Sequence, residues 1–209
     1  MNLDAIRKEY LFATLEEKDV KAHPFDQFKA WLDEAIHAEV YYPTAMSLVT
    51  IGTDEFPQSR IVLLKDFNQN GFTFFTNYDS AKGQAIKNHP HVGLHFFWPE
   101  LERQVRVSGH VCKTPEMISD QYFHSRPFES RVAAMVSNQS RVIHSRKELE
   151  KTFHHQLASK TKTQRPSNWG GYLVKPVRFE FWQGRENRLH DRIVYEGKEN
   201  TWQMKRLAP

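Results

Sequence analysis

Cysteine is almost absent from this chain of 209 residues; Cys112 is the one copy. A single thiol excludes an internal disulfide and any metal site built from several thiolates, and it fits a reducing compartment. Glycine and proline are sparse, at nine and ten copies, and no Gly/Ser linker, repeat or low-complexity tract divides the chain. The expectation is therefore one domain over residues 1–209. Long apolar runs are missing as well. The longest, residues 61–64 and 94–98, are strand-sized, far short of the ~20 residues that cross a bilayer. The first ten residues hold Asp4, Arg7, Lys8 and Glu9 instead of an apolar signal core, which points to a cytoplasmic protein with no membrane partner. Charge of one sign is in only small excess: 29 Lys+Arg against 25 Asp+Glu gives +4. Such a bias suits small phosphorylated ligands as well as it suits nucleic acid.

The familiar catalytic signatures are absent too: no GxGxxG, P-loop, GxSxG elbow, HExxH or paired-cysteine zinc site occurs. His89, His91 and His95 lie near one another in sequence. On a strand, however, four residues span ~13 Å, and a tetrahedral site wants four well-placed ligands. His154 and His155 fall in a charged helical stretch and read as solvent-facing. No metal site is expected.

What is abundant is aromatic surface, 13% of residues, with 15 Phe, 7 Tyr and 5 Trp. Disordered chains avoid such a content, so the core should rest on large rings. The first forty residues read as helical, residues 1–20 as a mobile helical segment. Pro24 suits a first helical turn, and Phe25, Phe28, Trp31 or Leu32, Ala35 and Ile36 then form one stripe. Short β-branched or aromatic runs at 44–52, 58–67 and 71–77 read as strands, and Asp79 or Ser80 caps a helix ending near 88. Strands at 91–98 and 101–113 follow, the latter alternating cleanly with Val105, Val107 and Val111 on one face. Thr114 as cap with Pro115 at the first helical position opens helices at 115–124, 128–136 and 145–160. Residues 169–207 return to strands, with turns at Gly184 and Gly197. This order gives an α+β fold with a closed or partly closed antiparallel barrel.

Three basic constellations carry the chemistry. Arg60 and Lys65 bracket an apolar strand and point to opposite faces. Arg126 and Ser130 sit where Pro127 breaks a helix, a natural phosphate position. Arg188, His190 and Arg192 alternate along what reads as one strand face, and three such groups in a row should meet an anion. Trp169 to Tyr172 and Phe181 to Gly184 flank this last cluster and could wall a flat ring system. Aromatic residues beside basic ones also bind single-stranded nucleic acid, and composition alone leaves that choice open.

The same residues carry a family resemblance. Residues 60–65 (RIVLLK), 101–105 (LERQV), 122–127 (YFHSRP), Gln139-Ser140, Trp169-Gly170-Gly171, 180–184 (EFWQG), 188–192 (RLHDR) and the terminal 206–209 (RLAP) together resemble the pyridoxine (pyridoxamine) 5′-phosphate oxidase family. The resemblance runs from about residue 7 to 209. It implies an FMN-binding split β-barrel with flanking helices, a homodimer, and FMN at the dimer interface. It further implies that Arg60 and Lys82 hold the FMN phosphate, with Gln139 and Ser140 reaching it from the partner subunit. Ile61, Val62, Leu63, Leu64 and Lys65 would run along the flavin, and Phe75, Thr76, Gln104, Trp182 and Arg192 would complete the cofactor site. Lys65, Tyr122, Arg126 and Ser130 match the family's substrate-phosphate grip. Arg188 and His190 match its catalytic pair over the pyridine ring, and Arg7 and Tyr10 its covering N-terminal segment.

The implied reaction oxidises pyridoxine 5′-phosphate with O2 to pyridoxal 5′-phosphate and H2O2, or pyridoxamine 5′-phosphate with O2 and water to the same products and NH3. Hydride would pass from substrate C4′ to flavin N5. Three positions depart from the family's common pattern: Ala81 precedes Lys82 where many relatives have arginine, Tyr42 stands where some have an acidic residue, and Phe75 replaces a frequent tyrosine. Rival readings are a split-barrel flavin reductase, a non-catalytic carrier of FMN or pyridoxal phosphate, and a nucleic-acid-binding module.

Overall fold

The computed structural model describes residues 10, 13–159, 163–198 and 201–209. Among these residues nine strands form one antiparallel sheet. In chain order they are β1 (Ala45–Ile51), β2 (Pro57–Leu63), β3 (Asp66–Asn68), β4 (Gly71–Asn77), β5 (His91–Trp98), β6 (Arg103–Lys113), β7 (Trp169–Gln183), β8 (Asp191–Lys198) and β9 (Thr201–Leu207). Five helices accompany them: α1 (Pro24–His37), α2 (Ala81–Asn88), α3 (Glu116–Ser125), α4 (Phe128–Val136) and α5 (Arg146–Ala158). No helix among the described residues is long and apolar enough to cross a membrane.

The sheet runs β2-β1-β5-β6-β7-β4-β3, and β8 and β9 branch from β7. The branch follows from the length of β7. Its first residues pair with β4, Trp169 opposite Asn77 through Val174 opposite Phe72, while its second half pairs with β8, Arg178 opposite Glu196 through Gln183 opposite Asp191. Between the halves the register with β6 slips at Ser108/Gly109, passing over Val177 beside Pro176. Proline has no N–H for the ladder, and a bulge bends the strand, so one long strand serves two diverging sheet edges. The α+β split barrel read from the sequence is the architecture found.

The core inside the curl is aromatic. Phe28 is fully buried and meets Phe67, Phe72, Phe96 and Trp98 with ring centroids 4.9–6.3 Å apart. On the same helix, Phe25 packs on Phe72 and Phe179, and Trp31 on Phe181. The stripe of α1 therefore plugs the barrel, with Ile36 left half exposed at its margin.

Four readings need correction. Helix is confined to α1 in the first forty described residues, and residues 13–23 form an irregular strap with only a turn. Side chains satisfy its backbone instead: Leu15 N–H donates to Asp191 Oδ2 (3.0 Å), Arg206 donates to the Leu15 carbonyl (2.9 Å) and Tyr195 Oη to the Lys21 carbonyl (2.6 Å). The strand read at 58–67 breaks after Leu63, because Leu64 N–H turns to the Thr44 carbonyl and Lys65 N–H crosses to the Thr73 carbonyl. Pro115, not Thr114, is the cap of α3, and the Thr114 hydroxyl bonds the Ser119 hydroxyl at 3.0 Å. Finally, Arg188 and His190 precede the strand. Residues Glu186–Arg188 form a tight turn with Asn187 and Arg188 at φ 53° and 61°, and β8 starts at Asp191.

Candidate functional site

A cavity of about 590 Å³ opens between β2, β4 and the α3–α4 pair. The break after β2 delivers Lys65 to it, β4 delivers Phe75 and Thr76, and α2 delivers Lys82. Helix α3 contributes Tyr122, while Pro127 ends that helix so that Arg126 and the first turn of α4 face inward. Among the described residues its walls include Lys65, Lys82 and Arg126 and no carboxylate.

Lys82, Arg126 and the neighbouring Arg60 are partly or largely desolvated, whereas Lys65 is exposed. Lys82 is buried, its Nζ donating to Gln139 Oε1 (2.8 Å) and Ser80 Oγ (3.3 Å). Burial, aided by the nearby Arg60 charge, pushes its pKa down to about 8. Arg60 turns onto β1, donating to Thr50 Oγ1 at 2.7 Å and the Leu48 carbonyl at 3.3 Å, and burial lowers its pKa. Arg126 is likewise lowered by burial, and its Nη1 is buried without a hydrogen-bond partner. Desolvated cations without a counter-charge are unfavourable unless an anion completes them. This donor set fits phosphate at two points of one cavity, beside Lys82 and beside Arg126.

The same cavity has an aromatic wall. Phe75 stacks on Tyr122 with centroids 3.9 Å apart, and Trp169 lies near-parallel to both, at 5.8 and 6.2 Å.

The cavity thus gathers Ile61, Val62, Leu63, Lys65, Phe75, Thr76, Lys82, Gln139 and the substrate set Tyr122, Arg126 and Ser130. Leu64 instead faces the core, as alternation requires. Ser140 is exposed at φ 67° beyond the wall. The Gln139 expectation is also corrected: its Oε1 meets Lys82 and Thr76 of its own chain, the latter at 3.2 Å, so no partner is needed to bring it there. The sequence reading missed Asn77, Ala133, Ala134 and Ser137 as wall residues, while Trp169, read there as a candidate wall for a flat ring, does line the cavity. Positions 130, 133, 134 and 137 form a helical stripe of small side chains, a visible signal for a helix face that must approach a ligand closely.

The remaining site residues form a second cluster, outside this cavity. Gln104 lies opposite Trp182, and Trp182 opposite Arg192, in one row across β6, β7 and β8. Arg192 gives Nε and Nη2 to Glu180 Oε1 at 3.0 and 2.8 Å. His190 packs on Trp182 (4.6 Å) and Tyr10 (5.6 Å). The aromatic segments around Trp169 and Trp182 therefore wall two separate places instead of flanking one cluster. The Arg185 N–H donates to His190 Nδ1 at 3.1 Å, leaving the neutral ring its proton on Nε2. Burial and the Arg188 charge lower the His190 pKa. Arg7 lies outside the described residues.

Comparison with known proteins places both the sequence and the fold in a family. Residues 32–158 match the family model described as pyridoxamine 5′-phosphate oxidase, and residues 169–209 that described as the pyridoxine 5′-phosphate oxidase C-terminal dimerisation region. Curated relatives named pyridoxine/pyridoxamine 5′-phosphate oxidase include one from Actinobacillus succinogenes, 50% identical with all of both chains covered. Another, from Haemophilus influenzae, is 49% identical over the same full coverage. Among solved structures, PhzG from Burkholderia lata, in complex with tetrahydrophenazine-1-carboxylic acid, superposes with TM-score 0.89 at 28% identity, covering 94% of this chain and 98% of that one. An FMN-binding, pyridoxamine 5′-phosphate oxidase-related protein from Nostoc punctiforme shares the fold, with TM-score 0.73 at 15% identity, covering 91% of this chain and all of that one. With the family model spanning more than half the sequence, and full-length relatives at half identity, this chain belongs to the pyridoxine/pyridoxamine 5′-phosphate oxidase family.

Proposed function

We propose that this protein is an FMN-dependent oxidase of pyridoxamine 5′-phosphate and pyridoxine 5′-phosphate, acting as a homodimer. The observation that carries the proposal is the cavity that, among the described residues, holds no carboxylate and is lined by two desolvated cations, Lys82 and Arg126, together with the stacked rings of Phe75, Tyr122 and Trp169. A phosphorylated cofactor and a phosphorylated substrate together need that arrangement, whereas a carrier of one phosphate needs half of it.

Arg60 and Lys82 hold the FMN phosphate, aided by Gln139 and Ser140. Residues 61–65 run along the flavin with Phe75 and Thr76, and Gln104, Trp182 and Arg192 complete its site from the second copy. Held there, FMN would supply the hydride acceptor for oxidation at substrate C4′ and the route by which O2 is reduced to H2O2. Lys65, Tyr122, Arg126 and Ser130 grip the substrate phosphate and fix C4′ by distance from that anchor. Arg188 orients the ring and stabilises charge that develops on it. His190, neutral because of its lowered pKa, holds the substrate through Nε2–H. Tyr10, packed on His190 and Trp182, belongs with Arg7 to the segment that covers the ring and excludes water.

The test is an anaerobic absorbance scan of FMN-loaded protein after adding pyridoxamine 5′-phosphate. The flavin band should bleach, then recover in air with release of pyridoxal 5′-phosphate. A bound flavin that stays oxidised would overturn the substrate assignment in favour of another reductant or a carrier. Protein that binds no FMN would overturn the cofactor assignment.

A further inference from the structure

Resting on that reading of the cavity, we propose that Trp169 is a positioning residue for the substrate phosphate: its ring face supports Arg126 and leaves that guanidinium's donors free for the anion. The Arg126 guanidinium carbon sits 4.8 Å from the centroid of the Trp169 ring. An aromatic face attracts a cation electrostatically yet accepts none of its in-plane N–H donors. Support from below therefore leaves the donors free, and the buried, unpartnered Nη1 of Arg126 is such a donor. A carboxylate in the same place would stabilise the charge but compete with the phosphate for it.

Trp169 is itself immobilised. It is buried, Phe123 packs edge-on at 5.3 Å, and Arg165 donates to its carbonyl at 2.8 Å while holding Asp120 of α3 at 2.6 Å. Two residues on, the Gly171 N–H is pinned as well, donating to the buried Ser119 hydroxyl of α3 at 3.0 Å. Trp169 also lies within 5° of parallel to Tyr122, the other aromatic member of the phosphate grip. One indole, tied to α3, thus backs Arg126 just beyond that helix and lies parallel to Tyr122 within it, without offering a side-chain acceptor that would compete with the phosphate.

The experiment compares wild type with Trp169→Phe and Trp169→Leu as FMN-loaded proteins. Three quantities are read: KM and kcat for pyridoxamine 5′-phosphate, the affinity for inorganic phosphate by titration calorimetry, and the affinity for FMN. Because Phe attracts a cation less than Trp, and Leu has no ring face, KM and the phosphate dissociation constant should rise in the order Trp, Phe, Leu. We expect about threefold and about tenfold increases respectively, with kcat within twofold and FMN affinity unchanged. The inference is overturned by unchanged KM and phosphate affinity, or by FMN and phosphate affinities falling in parallel, which would mark general collapse of the cavity. If Trp169→Leu does not fold, Trp169→Phe decides alone on the same two criteria. Phosphate titration needs no turnover, so an enzyme inactive on this substrate would refute the oxidase reading while the phosphate affinities still decided the role of Trp169.

Discussion

At the scale of single residues, Lys82 has the most consequential electrostatics. Its pKa near 8 means that the free site holds a charged lysine only below that pH, whereas a bound phosphate favours the charged form and raises the pKa. FMN phosphate has completed its own second ionisation by then, at about pH 6 for a phosphate monoester. FMN affinity should therefore be level up to about pH 8 and weaken by up to about tenfold per pH unit above it. Fluorescence titration checks this, and Lys82→Gln should bind FMN more weakly and without the alkaline fall. Arg188 should show the opposite pattern. Asn187 and Arg188 hold left-handed backbone, which costs of order 1 kcal/mol or more per residue. Arg188→Leu should cut kcat at least a hundredfold, a typical loss for one electrostatic stabiliser, while FMN affinity stays within twofold. Equal losses in both would remove Arg188 from the chemistry.

At the scale of elements, the sequence was most legible where periodicity and capping agree. β4 and β5 begin and end where their apolar and aromatic runs and the flanking turn residues place them, and Ser80 caps α2 by accepting from Gly83 N–H at 3.3 Å. The failures share a cause: long-range partners replace local ones. Nothing local announces that Lys65 N–H pairs across to Thr73, yet that crossing ends β2 and aims Lys65 into the cavity. Nor does the strap over residues 13–23 announce that its partners lie near the opposite end of the chain. Asp191 is the hub of that tie. Burial works to raise its pKa, but hydrogen bonds from Leu15 N–H, Arg185 and Arg206 outweigh it, and the net shift is downward. A carboxylate depressed on folding stabilises above its unfolded pKa of about 3.9, and that contribution is lost as pH falls through the folded value. At neutral pH, Asp191→Ala should speed hydrogen exchange at the Leu15 amide by at least about tenfold, the worth of one hydrogen bond to a charged group. The plug helix gives a larger effect: Phe28→Ala should cost about 3–5 kcal/mol and lower Tm by roughly 10 °C, read by thermal denaturation.

At the scale of the whole molecule, the site residues named by motif divide into two clusters within one chain. Lys65, Lys82, Tyr122 and Arg126 share the cavity; Gln104, Trp182, Arg188, His190 and Arg192 lie around β7 and β8, in or beside the segment matching the family's dimerisation region. Motif spacing can say which residues belong together, but not whether one chain or two supplies them, because chain identity leaves no trace in spacing. Apolar side chains exposed near both clusters, Ile61 at 67% and Leu189 at 69%, are the kind of surface a partner covers. If two copies build each site across a two-fold interface, each dimer has two sites, and each site takes the cavity from one chain and the arginine–histidine pair from the other. Arg126→Leu and Arg188→Leu would then each disable both sites of their own homodimer. In a mixed dimer, however, one site would receive both defects and the other neither. Denaturing and refolding the two variants together in equal amounts, with FMN, should therefore recover about a quarter of wild-type activity, since random pairing makes half the dimers mixed and each of those has one intact site. Refolding each variant alone should recover almost none. If instead each chain built its own site, mixing would rescue nothing, and the two clusters would have to meet by a rearrangement within the chain.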